Sequence, residues 1–99
     1  MEDTIRLDSI VAASPDQVSC ELNDEVAILH VPAGIYYGLD PVGARIWQLL
    51  ASPRSLRSVR DTLLAEYDVD AGRCEDDLLA LVRQLRDAGL VTVRDGTAP

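Results

Sequence analysis

Lysine is missing from this chain. All nine basic residues are arginine, against seventeen acidic ones, for a formal charge of −8 over 99 residues. An amine nucleophile is therefore unavailable except at the N-terminus, and the arginine bias itself is read as coding preference rather than chemistry. A basic excess is missing too, and with it the electrostatic footprint that a nucleic-acid partner requires. No apolar run approaches the roughly 20 residues of a membrane span. Glu2 and Asp3 stand where a secretory signal would be basic, so the cytoplasm is the expected compartment. The two cysteines, Cys20 and Cys74, fit no metal-ligand spacing. Each is read as a small buried residue rather than half of a disulfide. Gly34, Gly38 and Gly43 lack the spacing of a phosphate loop, and His30, the only histidine, sits in an apolar stretch with no motif around it. Glu75, Asp76 and Asp77 are adjacent on a helix and diverge by about 100° each, so their carboxylates do not converge. No catalytic residue, metal site or cofactor site can be assigned.

What remains is a globular composition, 47% hydrophobic and 26% charged, sufficient for one domain over 1–99 with a modest core. Its most informative stretch is residues 35–50, IYYGLDPVGARIWQLL. An apolar, aromatic strand runs to Leu39. Asp40 is a natural N-cap, and Pro41 suits a first helical turn, where its missing N–H costs nothing. Ile46, Trp47, Leu49 and Leu50 then recur at helical spacing. Upstream, residues 1–13 are either an arm or a short strand. Ser14-Pro15-Asp16 reads as a turn. Residues 17–22 alternate, with Val18, Cys20 and Leu22 on one face, and Asn23-Asp24 is a tight hairpin turn. Residues 26–31 read as a strand covered on both faces, and Pro32-Ala33-Gly34 turns the chain into residues 35–39. Gly38 inside a strand signals a bulge or the close approach of another backbone.

Downstream the pattern is helical. The first helix covers about residues 41–51 and ends before Pro53. The second starts near Ser55, with Leu56, Val59, Leu63, Leu64 and Tyr67 as its stripe. The third lies between Asp70 as N-cap and Gly89 as C′ residue, with an acidic start at Glu75, Asp76 and Asp77 and a basic end at Arg83 and Arg86. Residues 90–93 form a short extended tail or wing, and 95–99 a frayed terminus. On a wheel of about 100° per residue, Cys74, Leu78, Val82 and Leu85 form the core stripe of the third helix. Leu81 and Ala88 widen it on one side. Leu79 lies off-centre on the other, beside Glu75 and Arg86. It is either ordinary widening of a core face or the wall of a groove lined by Leu79 and Val82 and rimmed by Glu75, Arg83 and Arg86. Strands followed directly by helices can leave a sheet edge open beside a helix, and such a slot can receive a peptide as an added strand.

The segments YYGLD, GARIWQLL, LLAEYDVD and LVRQLRDAGLV, in this order and spacing, resemble the PqqD-like family of RiPP precursor peptide recognition elements, most of all the standalone B1 protein of lasso peptide clusters. The likeness spans about residues 14–93. Asp40 replaces the asparagine usual in the family, and Glu25 stands near a turn where a glycine is common. The resemblance implies an α+β, winged helix-turn-helix fold: a three-stranded antiparallel sheet followed by three helices. It implies that a precursor leader peptide adds as a strand along Ile35, Tyr36, Tyr37 and Gly38, against Glu75, Leu79, Val82, Arg83 and Arg86 of the third helix. The arginines would read acidic leader residues. It further implies no catalysis. The domain would deliver precursor to a separate transglutaminase-like leader peptidase of the B2 type, with the lasso cyclase as a further candidate partner and neither nucleic acid nor membrane. Two other readings share the fold: a peptide chaperone in pyrroloquinoline quinone biosynthesis and a winged-helix DNA-binding regulator. The second is opposed by the charge and by an acidic third helix.

Overall fold

The computed structural model describes residues 5–94; the expected frayed terminus at 95–99 lies outside them. The chain forms β1 (Ile10–Ala13), β2 (Gln17–Leu22), β3 (Glu25–His30), β4 (Ile35–Leu39), α1 (Pro41–Leu49), β5 (Arg54–Ser55), α2 (Leu56–Glu66), α3 (Ala71–Asp87) and β6 (Val91–Arg94). The order is that of an α+β, winged helix-turn-helix architecture. β2, β3 and β4 make an antiparallel meander in that order. Its first turn places Asn23 at φ 59°, which asparagine tolerates better than most residues.

The local signals act as expected at the helix ends. Asp40, Ser55 and Asp70 each occupy the N-cap, and each side chain accepts a backbone N–H three residues on. Pro41 stands at the start of α1. The acidic cluster differs from expectation: the first turn of α3 carries no acidic residue, and Arg73 lies there instead. Glu75, Asp76 and Asp77 fall in the second turn, where the dipole has little hold on them.

Residues 5–13 resolve into both alternatives read from the sequence. Residues 5–9 form an arm, and β1 follows. The arm supplies carbonyls to the free N–H groups at the start of α2, from Ser9 to Leu56 at 3.0 Å and from Leu7 to Arg57 at 2.9 Å. β1 sits between β5 and β6 in a second three-stranded sheet. Its pairing with β6 joins residues some 80 positions apart, from Ile10↔Arg94 to Ala13↔Val91. Periodicity carries no signal for such a contact.

A buried cluster draws on every helix and both sheets, with Val11, Ile28, Leu50, Leu56, Val59, Leu78, Val82, Leu85 and Leu90 almost wholly enclosed. α1 packs on β3, α2 on α3, and α3 on β6. One face of β3, with Val26 and Ile28, is buried; Ala27 and Leu29 on the other are half-buried, so the strand is covered on one face rather than both. Val18 and Cys20 share that open side of the meander and are exposed. Cys74 is buried as expected, whereas Cys20 is not. Alternation identifies the apolar face of β2 but not which side of the sheet the helices cover. α1 and α2 are further tied by Arg45, which grips Glu66 with two bonds of 2.9 and 2.7 Å. That bond holds the Glu66 carboxyl below its ordinary range.

Trp47 is 6% exposed, within the buried cluster. Trp47→Ala is expected to cost about 3–5 kcal/mol, a large share of the roughly 5–15 kcal/mol typical of a small domain. A thermal melt within a few degrees of the parent would show that the indole contributes little.

Candidate functional site

β4 is an edge of its sheet, and the pairing shows which of its backbone groups are unused. Antiparallel neighbours alternate between residues that exchange two hydrogen bonds and residues that exchange none. The two-residue turn closes on Leu22↔Glu25, and past the other end of that ladder Val31 N–H donates to the Asp16 carbonyl at 3.1 Å. Both facts assign the odd-numbered residues of β3 to β2. The even-numbered residues Val26, Ile28 and His30 therefore bond to their partners Leu39, Tyr37 and Ile35 on β4. Tyr36 and Gly38 direct their N–H and C=O groups away from the sheet. No further strand covers this edge among the described residues.

Beneath that edge lies a groove of about 500 Å³. β4 contributes Tyr37, Gly38 and Leu39. Val42, Gly43 and Ile46 come from α1, Leu63 from α2, and Tyr67 and Val69 from the segment that follows α2. The opposite wall is α3, through Arg73, Cys74, Asp77, Leu78, Leu81 and Gln84. Arg73, Asp77, Leu81 and Gln84 succeed one another at helical spacing on one flank. The lining is mostly apolar. At one place the walls touch, where the Tyr37 hydroxyl donates to Oε1 of Gln84 at 3.2 Å. On α3 the charges are Arg73 and Asp77, 3.6 Å apart and well exposed, a pair of little energetic consequence. Asp40 also borders the groove, but its carboxylate accepts the Gly43 N–H at 2.8 Å. Burial pushes the Cys74 thiol above its ordinary pKa, opposed by the nearby Arg60.

The expected strand residues and the expected helix residues are not brought together. Tyr37 and Gly38 line the groove; Ile35 and Tyr36 continue the same strand and are 57% and 73% exposed. Glu75 instead receives a 2.8 Å bond from Arg60 of α2. Val82 is completely buried, Leu79 packs against the core, and Arg86 bonds the neighbouring Asp87. None of these, nor Arg83, borders the groove. The reason is geometric. The core stripe of α3 has an apolar residue on each flank, Leu79 on one and Leu81 on the other, and a wheel cannot say which flank α2 takes. α2 takes the Leu79 side, so the groove opens on the Leu81 side. Leu81 carried as much local signal as Leu79, and Tyr67 was read only as part of the apolar stripe of the second helix, whereas Val69 and Gln84 carried none that distinguished them from surface residues. His30 serves structure: its Nδ1 accepts the Ala33 N–H at 3.3 Å. Among the described residues no group of three His, Cys, Asp or Glu could hold a metal. No helix of these residues is long and apolar enough to cross a membrane.

Comparison with known proteins agrees with this architecture. Residues 25–91 match the family model described as coenzyme PQQ synthesis protein D (PqqD). The match covers well over half of the chain, which therefore belongs to the PqqD family. No curated protein matches the chain. Two solved structures are similar. One is TbiB1 in complex with the TbiA(beta) leader peptide, at 39% identity and a TM-score of 0.77, covering 89% of this chain and 99% of that one. The other is a lasso peptide synthetase B1 complexed with the leader peptide, at 27% identity and a TM-score of 0.73, covering 83% and 96% respectively.

The alternation along β4 has a direct consequence for stability. Tyr37→Pro removes a ladder donor to β3 and leaves a carbonyl unpaired, at an expected cost of about 1–3 kcal/mol. Tyr36→Pro removes an N–H that faces outward and should cost markedly less. Equal losses in denaturant melts would show that the assignment of bonded pairs is wrong.

Proposed function

We propose that this chain binds the leader peptide of a ribosomally made precursor of the lasso class and delivers it to a separate leader peptidase and cyclase, without bond chemistry of its own. The leader adds to the meander as a fourth strand beside β4. The observation that carries this reading is the pair of outward backbone groups, Tyr36 and Gly38, above an apolar groove. Backbone bonds to an edge are blind to sequence and supply affinity, while side-chain pockets supply selectivity. The two similar B1 structures, each described with a leader peptide, support the ligand class. Holding the precursor near its processing enzymes raises its effective concentration there. The place of action is the cytoplasm, where precursors are made.

The strand contacts are those expected from the sequence: Ile35, Tyr36, Tyr37 and Gly38. The helix contacts are assigned to Leu81, Arg73, Asp77 and Gln84 in place of Glu75, Leu79, Val82, Arg83 and Arg86. The family description favours a second reading, a peptide chaperone in pyrroloquinoline quinone synthesis. The similarity to a lasso peptide synthetase B1 favours the lasso reading. A DNA-binding role is not supported by a net charge of −8.

Fluorescence-polarisation titration tests the proposal, with two labelled peptides: the TbiA(beta) leader and the leader of a precursor encoded beside this chain. Saturable binding of at least one is expected, and no binding of either overturns it. Leu81→Asp places a carboxylate in the groove wall, where Leu81 is only half-buried. In the folded protein it should weaken binding by about 1.4–3 kcal/mol, tenfold or more. Leu79→Asp is the contrast: equally half-buried but outside the groove, it should leave the folded fraction with normal affinity. The reverse result would move the peptide to the α2 flank of α3.

A further inference from the structure

Gly38 lacks both of the reasons a fold usually has for a glycine. Its φ is not in the left-handed region, and a Cβ built on it would meet nothing within 4 Å. The β3–β4 register runs without a bulge from Val26↔Leu39 to His30↔Ile35. A glycine inside a strand weakens that strand, and nothing in the described fold calls for one here.

The missing side chain would point away from the groove. Tyr37 and Leu39 face the helices, so position 38 belongs to the outer face, opposite Ala27 of β3 and, one strand further, Cys20 of β2. These small residues form a shallow trough. Beside it, on the same face, run Tyr36, 73% exposed, its partner Leu29, and Val18, 59% exposed. A strand added to β4 must set one side chain on this face directly beside Gly38. Cross-strand neighbours stand about 4.5–5.5 Å apart, and an aromatic or long side chain also reaches the diagonal neighbour at 7–8 Å. The diagonal neighbour is Tyr36. Rings that lie across a glycine on the adjoining strand are a known means of stabilising edge glycines.

We propose that Gly38 is a specificity position: it leaves a seat, bounded by Tyr36 and Ala27, for a large apolar or aromatic side chain of the bound peptide. This rests on the reading that the peptide adds to β4. It makes recognition two-sided, with alternate peptide residues entering the groove and the residue between them lying over Gly38 on the opposite face.

The test uses the full chain and whichever labelled leader it binds in the titration above. Gly38→Val fills the seat without touching the groove, and its melting temperature should equal or exceed the parent's because the β-branched residue favours a strand. Binding should weaken at least tenfold, with Gly38→Ala intermediate and Tyr36→Ala also weaker. In an alanine scan of the peptide, one bulky position should lose this sensitivity: with alanine there, parent and Gly38→Val bind alike. If Gly38→Val binds within twofold of the parent while Leu81→Asp abolishes binding, the groove stands and the seat is wrong. If both bind normally, strand addition at β4 is itself wrong. A uniform loss across all scanned peptides would also overturn the seat, since it would mean general damage to the edge.

Discussion

The position of the groove depends on how α3 ends. Gly89 adopts φ +78°, its N–H reaches the Arg86 carbonyl, and the Leu90 N–H turns back to Leu85 at 2.9 Å. That closure satisfies carbonyls at the helix end and reverses the chain into β6. A side chain at 89 would meet Nε2 of His30 at 3.0 Å, so the glycine also lets α3 lie against the end of β3. Leu90 is fully buried, and its carbonyl accepts the Ser14 N–H at 2.8 Å. Through these few residues α3 is fixed to the small sheet by β6 and to the meander by the His30 contact. The groove is the space left between the meander and a helix so placed.

Sequence and structure agree where the determinants are local. Asp40, Pro41, Ser55, Asp70 and Gly89 act within three or four residues of themselves, and each occupies the expected place. The meander follows from alternation and short turns. What could not be read is non-local: the β1–β6 ladder, the flank of α3 that α2 covers, and the side of the meander left open. Each is decided by which of two comparable apolar surfaces finds a partner. Leu79 and Leu81 illustrate this, as do Cys20 and Cys74. Leu81 borders the groove and Leu79 does not, and Cys74 is buried while Cys20 is exposed, for reasons that lie in distant parts of the chain. The open edge of β4 was legible because it follows from strand order. Which flank of α3 borders the groove was not, because it required the packing of α2.

The charges are arranged to hold elements together at the surface rather than to form one field. Arg45 joins α1 to α2 through Glu66, Arg57 ties α2 to the arm through Asp8 at 2.7 Å, and Arg60 spans Asp61 and Glu75. Such exposed pairs contribute little each. Arg45 and Arg60 each bond through more than one guanidinium nitrogen, a planar geometry that suits arginine better than lysine. A net charge of −8 opposes self-association through an open strand edge.

The groove has walls from β4, α1, α2 and α3, none of which can form it alone. A ligand held there has affinity for the assembled chain and almost none for the unfolded one. Its concentration therefore enters the folding equilibrium directly, contributing roughly 2.7 kcal/mol at a hundredfold excess over its dissociation constant. A chain of this size and modest core thus gains as much from occupancy as from a well-packed leucine. Under the proposed function, its abundance in a cell would follow the supply of the bound peptide, rising when the peptide is plentiful and falling through proteolysis when it is not.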